Sequence, residues 1–344
     1  HCLALGVTTN HVLGIEVVLA DGSITWLGGV ERESTGYDLR GAFTGSEGTL
    51  GIITKVAVRL LPKPEAIHSM LASFTTMDAA SQTVSDIISA GMVPAALEMM
   101  DRNTIDAVEP FYHPGYPEDA QAVLIVEVDG LKESVEEQTE TVLQICSKNG
   151  AMEVREADDE LTRSKLWETR KGAVGAYGVI APTYLLVDGV VPRTKLREIL
   201  QKVDQIASEL DVKIANVFHA GDGNIHPAIL FNERNPGEVQ QAILAGAQIL
   251  EACVAAGGAL SGEHGIGIEK QAYMSLVFNE NDLDSMSRLR TAFIGESSDN
   301  EPIDVPSLSE RFNPGKVFPG GAVHGEAYGI SAHSFRPTGT TDWQ

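Results

Sequence analysis

The 344-residue chain carries 25 Lys and Arg against 48 Asp and Glu, which gives a formal net charge of −23 at pH 7. Nucleic acids and anionic membranes are bound through basic surfaces, so this balance argues against both as main partners. An anionic substrate would need a local positive centre, such as a metal ion or an arginine. A hydrophobic content of 43% is ordinary for folded protein, and the length predicts two domains.

Cysteine use and hydropathy narrow the class of protein further. The three cysteines are scattered, at Cys2, Cys146 and Cys253, without the C-x-x-C pair typical of zinc or iron–sulfur sites. This spacing favours free thiols in a reducing compartment. The most apolar helix candidate, residues 242–260, is too polar to span a membrane. The chain opens on His1 without a signal-peptide pattern, and we expect part of a domain to precede it.

The first 62 residues are predicted to be β-rich. Strands at 15–19 and 24–27 are joined by an Asp-Gly turn, a strong hairpin signal. A glycine-rich segment, 43–54, then precedes a predicted strand at 55–61. Its glycines, three residues apart, would let backbone N–H groups approach a pyrophosphate or an isoalloxazine edge. A tight bend with bulges is the alternative, and the spacing alone favours it.

Helices and strands alternate after Pro62–Pro64, where we place the domain boundary. The pattern predicts helices at 78–90, 133–148, 161–177, 193–210, 237–256 and 283–293, and strands at 122–128, 152–155 and 184–191. Together with a later hairpin, it indicates an α+β fold with an antiparallel sheet and helices on one face. Residues 295–310 are predicted to be a flexible insertion, and residues 320–344 a disordered tail.

A candidate metal site lies on the hairpin that contains His219 and His226. Apolar runs at 212–218 and 227–231 indicate two strands, joined by a glycine-rich turn with one histidine at each shoulder. If the histidines face each other across an antiparallel pair, their Cβ atoms lie roughly 4.5–5.5 Å apart. Both imidazoles could then reach one metal ion.

A second arm, residues 261–267, supplies Glu263 and His264. Neighbouring side chains of an extended backbone point to opposite faces, so one is predicted to bind the ion and the other to serve proton chemistry. Two histidines and a carboxylate with open positions suit a catalytic ion. For either segment alone, a polar hairpin or an unrelated glycine loop is an equal alternative; together they favour a site.

Arg170 lies on the predicted helix 161–177, close to Trp167. Its guanidinium could hold a substrate carboxylate through two hydrogen bonds. A surface arginine on an amphipathic helix is the commoner state, and the sequence pattern alone favours it.

Four motifs occur along the chain in a fixed order: Gly45-Ser-Glu-Gly-Thr-Leu-Gly51, His219-x-Gly-Asp-Gly-Asn-x-His226, Ser261-Gly-Glu-His-Gly-Ile-Gly267 and Asn313-Pro-Gly-Lys316. They resemble those of FAD-linked 2-hydroxy acid dehydrogenases of the vanillyl-alcohol-oxidase type, and the resemblance covers nearly all of residues 1–318. It implies that residues 1–62 are the C-terminal part of a PCMH-type FAD-binding domain. Residues 63–319 would be the substrate domain, a mostly antiparallel sheet covered by helices.

The resemblance also implies a role for each matching residue. His219, His226 and Glu263 would bind a divalent metal, zinc, manganese or iron, and His264 would be the base. Arg170 and Asn224 would hold the substrate. The residues that would line FAD are Gly45, Ser46, Glu47, Gly48, Gly51, Ile52, Ile53 and Asn313.

The implied reaction is the oxidation of a small 2-hydroxy acid, glycolate or D-lactate, to the 2-oxo acid. A metal ion lowers the pKa of the hydroxyl, the base takes its proton, and hydride passes to the flavin. Some relatives carry a Lys on the strand where this chain has Leu185 and Leu186, which hints at a substrate without a distal carboxylate.

The resemblance further implies a cytoplasmic protein, peripheral at the membrane through partner subunits that include an iron–sulfur protein. The residues leave two other hypotheses open. One is a metal-dependent hydrolase without flavin, which would use the same ligands to activate water. The other is a non-catalytic, truncated subunit that retains the fold.

Overall fold

The computed structural model describes residues 2–30, 36–157 and 159–295. Asn313, the tail and all but the first residue of the predicted insertion lie outside the described residues. The N-terminal part is a three-stranded antiparallel sheet in the order β2-β1-β3. Its elements are α1 (Cys2–Leu5), β1 (Val12–Val18), β2 (Ile24–Gly28), α2 (Leu39–Phe43) and β3 (Ile52–Val58).

Strand β3 begins at Ile52, three residues earlier than predicted. Ile52 and Ile53 pair with Val18 and Val17 of β1, so both belong to the sheet rather than to the glycine loop. Gly51 precedes them with φ +154°, and a Cβ there would lie 2.9 Å from the carbonyl oxygen of Val18. Glycine is therefore required where the loop enters the strand.

The second sheet has eight antiparallel strands in the order β7-β4-β6-β5-β10-β11-β8, with β9 paired to β11. The strands are β4 (Ala66–Phe74), β5 (Ala96–Asp101), β6 (Ala122–Gly130), β7 (Glu153–Ala157), β8 (Thr183–Leu186), β9 (Gly189–Val190), β10 (Lys213–His219) and β11 (Asn224–Phe231). The predicted strand at 184–191 is thus two strands, interrupted at Val187 and Asp188, and β4 and β5 were not predicted.

Helices cover both faces of this sheet, so the prediction of one covered face is wrong. The helices are α3 (Met77–Ser89), α4 (Arg102–Tyr112), α5 (Lys132–Lys148), α6 (Glu160–Ala176), α7 (Leu196–Leu210), α8 (Pro236–Ala255) and α9 (Glu280–Ile294). α3, α5, α7 and α8 bury one face, around Phe74, Phe218 and Ile249. α4 and α6 bury the other, around Ile105 and Val217. Among the described residues, no helix is both long and apolar enough to cross a bilayer.

Asp101, the last residue of β5, connects α4 and β10 through hydrogen bonds. It caps the N-terminus of α4 by accepting a hydrogen bond from the backbone N–H of Thr104, at 2.8 Å. Its other oxygen accepts the backbone N–H and the side-chain amide of Asn216 on β10, each at 2.8 Å. Burial raises the pKa of Asp101 to about 6, despite these donors.

We expect Asp101→Ala to lower the free energy of unfolding by about 1–3 kcal/mol at pH 5, because buried N–H donors lose their acceptor. The folded-state pKa of Asp101 lies above its ordinary value of 3.8. The stability linked to its protonation is therefore present below about pH 4 and lost as pH rises through about 6. Denaturant unfolding should show a larger loss at pH 5 than at pH 7.

Asp159→Ala is the control, because Asp159 caps α6 through the backbone N–H of Thr162 and, among the described residues, bonds no strand. It should cost about 1 kcal/mol, as for other N-caps. Equal losses in the two variants would show that the bonds of Asp101 to β10 contribute nothing.

Candidate active site

The β10–β11 hairpin places His219 and His226 on one face of the sheet, but not opposite each other. His219 pairs with Asn224, and His226 pairs with Val217. The expected facing pair is therefore wrong; the histidines are diagonal neighbours with ring centroids 5.2 Å apart. Asn224 takes the position opposite His219. At the turn, a Cβ on Gly223 would lie 2.1 Å from the carbonyl oxygen of Val191, so glycine alone fits.

The second arm brings both of its functional side chains to this face. Glu263 Oε1 lies 3.2 Å from His219 Nε2 and 3.1 Å from His226 Nε2. The ring of His264 stacks on that of His226 at 5.0 Å, and its Nε2 lies 4.0 Å from Glu263 Oε1. The expectation that Glu263 and His264 point to opposite faces is wrong, because the arm is a series of bends, not an extended strand.

Asp188 fixes the second arm from inside the protein. It is fully buried and accepts hydrogen bonds from five donors: Ser261 Oγ at 2.7 Å, the backbone N–H groups of Gly262, Glu263 and His264 at 3.1, 3.3 and 2.9 Å, and Lys270 Nζ at 3.1 Å. Burial alone would raise the pKa of Asp188, but Lys270 and Ser261 hold it below its ordinary value. Asp188 is therefore a carboxylate.

Glu98 connects His219 to Arg170. It lies on β5 directly opposite His219, and its Oε1 is 2.6 Å from His219 Nδ1. Its Oε2 accepts Arg170 Nε at 2.9 Å and lies 2.8 Å from Arg170 Nη2. The Arg170 side chain is only 14% exposed. The surface-arginine alternative is therefore wrong, and the guanidinium lies beside the histidine cluster.

Sequence reasoning missed both Glu98 and Asp188. Neither belongs to a recognisable motif, but each is an isolated acid in an apolar stretch, Ala95–Met100 and Tyr184–Val191 respectively. A carboxylate is not buried without a partner. An acidic residue in an apolar stretch is therefore the signal that could have identified Glu98 and Asp188. It could not have identified their partners.

The protonation states follow from these contacts. Burial alone would lower the pKa of His219, but its hydrogen bonds to Glu263 and Glu98 raise it to about 9. The same histidine bonds, from His219 and His226, hold the pKa of Glu263 far below its ordinary value. Burial lowers the pKa of His264, which leaves a neutral imidazole near pH 7. His264 is thus the member of the cluster suited to accept a proton.

Two sets of side chains have ligand atoms close enough to share one metal ion within the described residues: His219, His226 and Glu263, and Asp188, His226 and His264. The first set fits an ion, because both Nε2 atoms converge on Glu263 Oε1 while His219 Nδ1 is bonded to Glu98, the usual support for a metal-binding histidine. In the second set, Asp188 is saturated by donors and paired with the ammonium of Lys270.

An unsatisfied polar atom lies at the same place. Among the described residues, Asn224 Oδ1 is buried without a hydrogen-bond partner. His226 Nδ1 also lacks a hydrogen bond there, but it lies 3.8 Å from Asp188 Oδ1 and is not the nitrogen that faces Glu263. A buried polar atom without a partner costs free energy, so such atoms mark positions where a ligand or ordered water belongs. The residues present therefore fit a divalent ion at His219, His226 and Glu263, with a polar ligand beside Asn224.

The glycine loop before β3 reaches the second arm. Glu47, with φ 54°, accepts hydrogen bonds from the backbone N–H groups of Ile266 and Gly267, each at 2.7 Å. A Cβ on Gly265 would lie 2.5 Å from Glu47 Oε1. Gly45 and Gly48 are exposed beside this contact, and Ser46 is half-buried. Their roles in binding FAD, and those of Gly51, Ile52 and Ile53, stay predictions.

Comparison with known proteins identifies the family. The profile of FAD linked oxidases, C-terminal domain, matches residues 63–293. The chain belongs to this family. It is 45% identical over 308 residues to the glycolate oxidase subunit GlcD of Escherichia coli K12, covering 90% of this chain and 62% of the relative. The GlcD subunit of Bacillus subtilis is 40% identical over 317 residues, covering 92% and 65%.

A probable mitochondrial D-lactate dehydrogenase of Danio rerio is 35% identical over 277 residues, which are 78% of this chain and 55% of that protein. The chain thus spans less than two thirds of the length of these curated relatives. The predicted resemblance to FAD-linked 2-hydroxy acid dehydrogenases is confirmed.

Solved structures confirm the predicted fold. Substrate-bound p-cresol methylhydroxylase superposes with a TM-score of 0.62 at 15% identity, covering 82% of this chain and 62% of that chain. Alkyldihydroxyacetonephosphate synthase superposes with a TM-score of 0.57 at 16% identity, covering 84% and 52%. These similarities show that the chain shares the α+β fold of these two proteins.

We expect Lys270→Met to lower the free energy of unfolding by about 3–5 kcal/mol, because it leaves the buried charge of Asp188 without its cation. Hydrogen exchange at residues 262–264 should become faster, since their N–H groups are held by Asp188. The control is Lys195→Met, which removes an exposed pair with Glu198 and should cost less than about 1 kcal/mol. Similar losses in both variants would contradict the role given to Asp188.

Proposed function

We propose that the protein containing this chain is an FAD-dependent dehydrogenase that oxidises a small 2-hydroxy acid, glycolate or D-lactate, to the 2-oxo acid. The observation that carries the proposal is the cluster of His219, His226 and Glu263 with the neutral His264 beside it. Family membership supports the flavin, and the relatives named glycolate oxidase subunits and D-lactate dehydrogenase support the substrate class.

His219, His226 and Glu263 would hold a divalent ion, zinc, manganese or iron. When bound, the ion would polarise the substrate oxygens and lower the pKa of the hydroxyl. His264 takes the hydroxyl proton on its ring, because burial keeps it neutral and its stacking on His226 holds it against the ligand set. FAD would supply the acceptor for the hydride that leaves Cα of the substrate.

Arg170 and Asn224 orient the substrate. Glu98 offsets part of the charge of Arg170. The same contact fixes the plane of the Arg170 guanidinium, so that its remaining N–H groups have a defined direction. Asn224 lies opposite His219, and its buried side-chain oxygen has no hydrogen-bond partner among the residues that the structure describes. This oxygen can accept a hydrogen bond from the substrate. Together, Arg170 and Asn224 would hold a small 2-hydroxy acid close to the metal ligands.

The side chains of β8, the strand next to β11, indicate a small acid as the substrate. Leu186 pairs with Ala228 and packs on the face covered by α6, the face that carries His226. Leu185 packs on the opposite face, against Gly246 of α8. An apolar side chain beside the site offers no charge for a second carboxylate, so a dicarboxylate would leave a charge unpaired there.

Electrons leave the flavin for a further acceptor in this proposal. The chain has one exposed and two buried free cysteines, at Cys2, Cys146 and Cys253. The two GlcD relatives are named as subunits, and a partner subunit with an iron–sulfur centre would supply such an acceptor. Such partners would also provide attachment to a membrane for a protein that is otherwise cytoplasmic.

In the full-length protein loaded with FAD and metal, we expect anaerobic glycolate or D-lactate to bleach the flavin absorbance. His264→Ala should keep the metal and slow flavin reduction by about 10²–10⁴-fold, the usual contribution of a general base. His226→Ala should lose both metal and reduction, because it removes a ligand. Stopped-flow absorbance and metal analysis of the same samples measure the two effects.

The control is His113→Asn, because His113 is exposed, lies outside the cluster and has a left-handed backbone that asparagine tolerates. It should leave metal content and reduction unchanged. Bound flavin that neither acid bleaches would contradict the dehydrogenase, and equal metal loss in His264→Ala and His226→Ala would contradict the separate roles. Metal-dependent hydrolysis by a flavin-free protein would instead support the hydrolase hypothesis.

A further inference from the structure

The Glu98 carboxylate is shared by two residues with different roles. Oε1 is 2.6 Å from His219 Nδ1, and Oε2 contacts Arg170 Nε and Nη2 at 2.9 and 2.8 Å. The Glu98 side chain is only 9% exposed. We propose that Glu98 is a positioning residue that links the metal site to the substrate-carboxylate site. This inference rests on the function proposed above and adds to it a residue that the motifs do not include.

The sheet fixes the position of Glu98 relative to His219. β5 and β10 are antiparallel neighbours in which Glu98 lies opposite His219 and Met100 lies opposite Val217. Directly opposite residues have Cβ atoms roughly 4.5–5.5 Å apart, which leaves the two side chains little choice of distance. Just beyond this pair, the backbone N–H of Gly221 donates to the carbonyl of Leu97 at 3.3 Å.

α6 brings Arg170 to the same carboxylate from the covering layer. Its N-terminus is capped by Asp159. Further along, Trp167 Nε1 donates to the buried Glu127 at 2.9 Å, and Thr169 Oγ1 is 2.8 Å from the hydroxyl of Tyr116. The helix is therefore anchored on the sheet independently of Glu98. The contact with Glu98 orients the guanidinium of Arg170 rather than the helix.

Each hydrogen bond has a consequence for ligand binding. A carboxylate at Nδ1 keeps a proton on that nitrogen. Nε2 is then the nitrogen that loses its proton when a metal ion binds, and its lone pair is directed at the metal position beside Glu263. The other oxygen binds Nε and Nη2, which fixes the plane of the guanidinium and offsets part of its charge. Glu98 thus orients His219 for metal binding. It also weakens the attraction of Arg170 for an anion.

Glu98→Gln separates these two effects. The amide keeps the shape and can still accept Arg170 through its oxygen, but its NH₂ group then faces His219 Nδ1. That group stabilises the tautomer protonated on Nε2, which opposes metal binding. We expect the Kd for Mn²⁺ to rise by about 10–100-fold, the usual effect of losing such a supporting carboxylate. With Mn²⁺ at saturation, the KM for glycolate should change by less than about threefold, because Arg170 keeps its bond and loses an opposing charge.

Glu98→Ala should weaken Mn²⁺ binding similarly and also raise the KM for glycolate about tenfold, because Arg170 then loses its orientation. The measurements are Mn²⁺ titration of the metal-free, full-length protein by calorimetry, followed by steady-state kinetics at saturating Mn²⁺. Glu127→Gln is the matched control. Glu127 is also buried on the same sheet face, and its side-chain partners in the described part of the chain are Ser69, Arg163 and Trp167, none of them in the cluster. It should leave the Kd for Mn²⁺ unchanged.

The outcomes distinguish this inference from the function on which it rests. A wild-type protein that binds Mn²⁺, together with a Glu98→Gln variant of unchanged Kd, would overturn the role of Glu98 and leave the proposed function standing. A wild-type protein that binds none of Mn²⁺, Zn²⁺ and Fe²⁺ would overturn both. A weaker Kd in Glu98→Gln with an unchanged KM supports the inference, and a comparable loss in Glu127→Gln would overturn it.

Discussion

The buried carboxylate of Asp188 is the constraint on which the site depends. It lies where the chain leaves β8 for β9, and it collects hydrogen bonds from three consecutive backbone N–H groups, 262–264, and from Ser261. Charge-assisted bonds of this kind are stronger than neutral ones, and Lys270 offsets the cost of burying the charge. The arm that carries Glu263 and His264 is irregular, so no regular secondary structure would hold these side chains against the hairpin.

Distant parts of the chain meet at this point. The hairpin supplies the two histidines, β5 supplies Glu98, α6 supplies Arg170, and the second arm supplies the remaining carboxylate and imidazole. Glu47 bonds the glycine loop to the second arm at Ile266 and Gly267, two and three residues after His264. The loop expected to border the flavin is therefore connected to the same arm as the residue expected to remove the proton.

The sequence could predict the residues whose chemistry is concentrated in short motifs. The sequence predicts His219, His226, Glu263 and His264 because two glycine-rich segments, each with histidine and acidic residues, together favour a site although neither does alone. Their mutual geometry was harder to predict: the strand register put the histidines on a diagonal, and the bends of the arm brought Glu263 and His264 to one face.

Features fixed by tertiary packing could not be predicted. All of β5 and β11 is buried, so neither strand shows the alternation that reveals which face is covered. Glu98 and Asp188 act across 121 and 76 residues of sequence, respectively, to His219 and His264, and no local pattern encodes such partners. Glu47 was expected at the flavin from its motif alone, whereas its carboxylate bonds the second arm.

In the proposed function, His219, His226 and Glu263 form the metal site. Anomalous diffraction from zinc-loaded crystals of the full-length protein would locate the ion. We expect one strong peak within about 2.0–2.2 Å of both Nε2 atoms and the Glu263 carboxylate, the distances usual for zinc. A peak bounded by Asp188, His226 and His264, or no peak near the hairpin at saturating zinc, would contradict it.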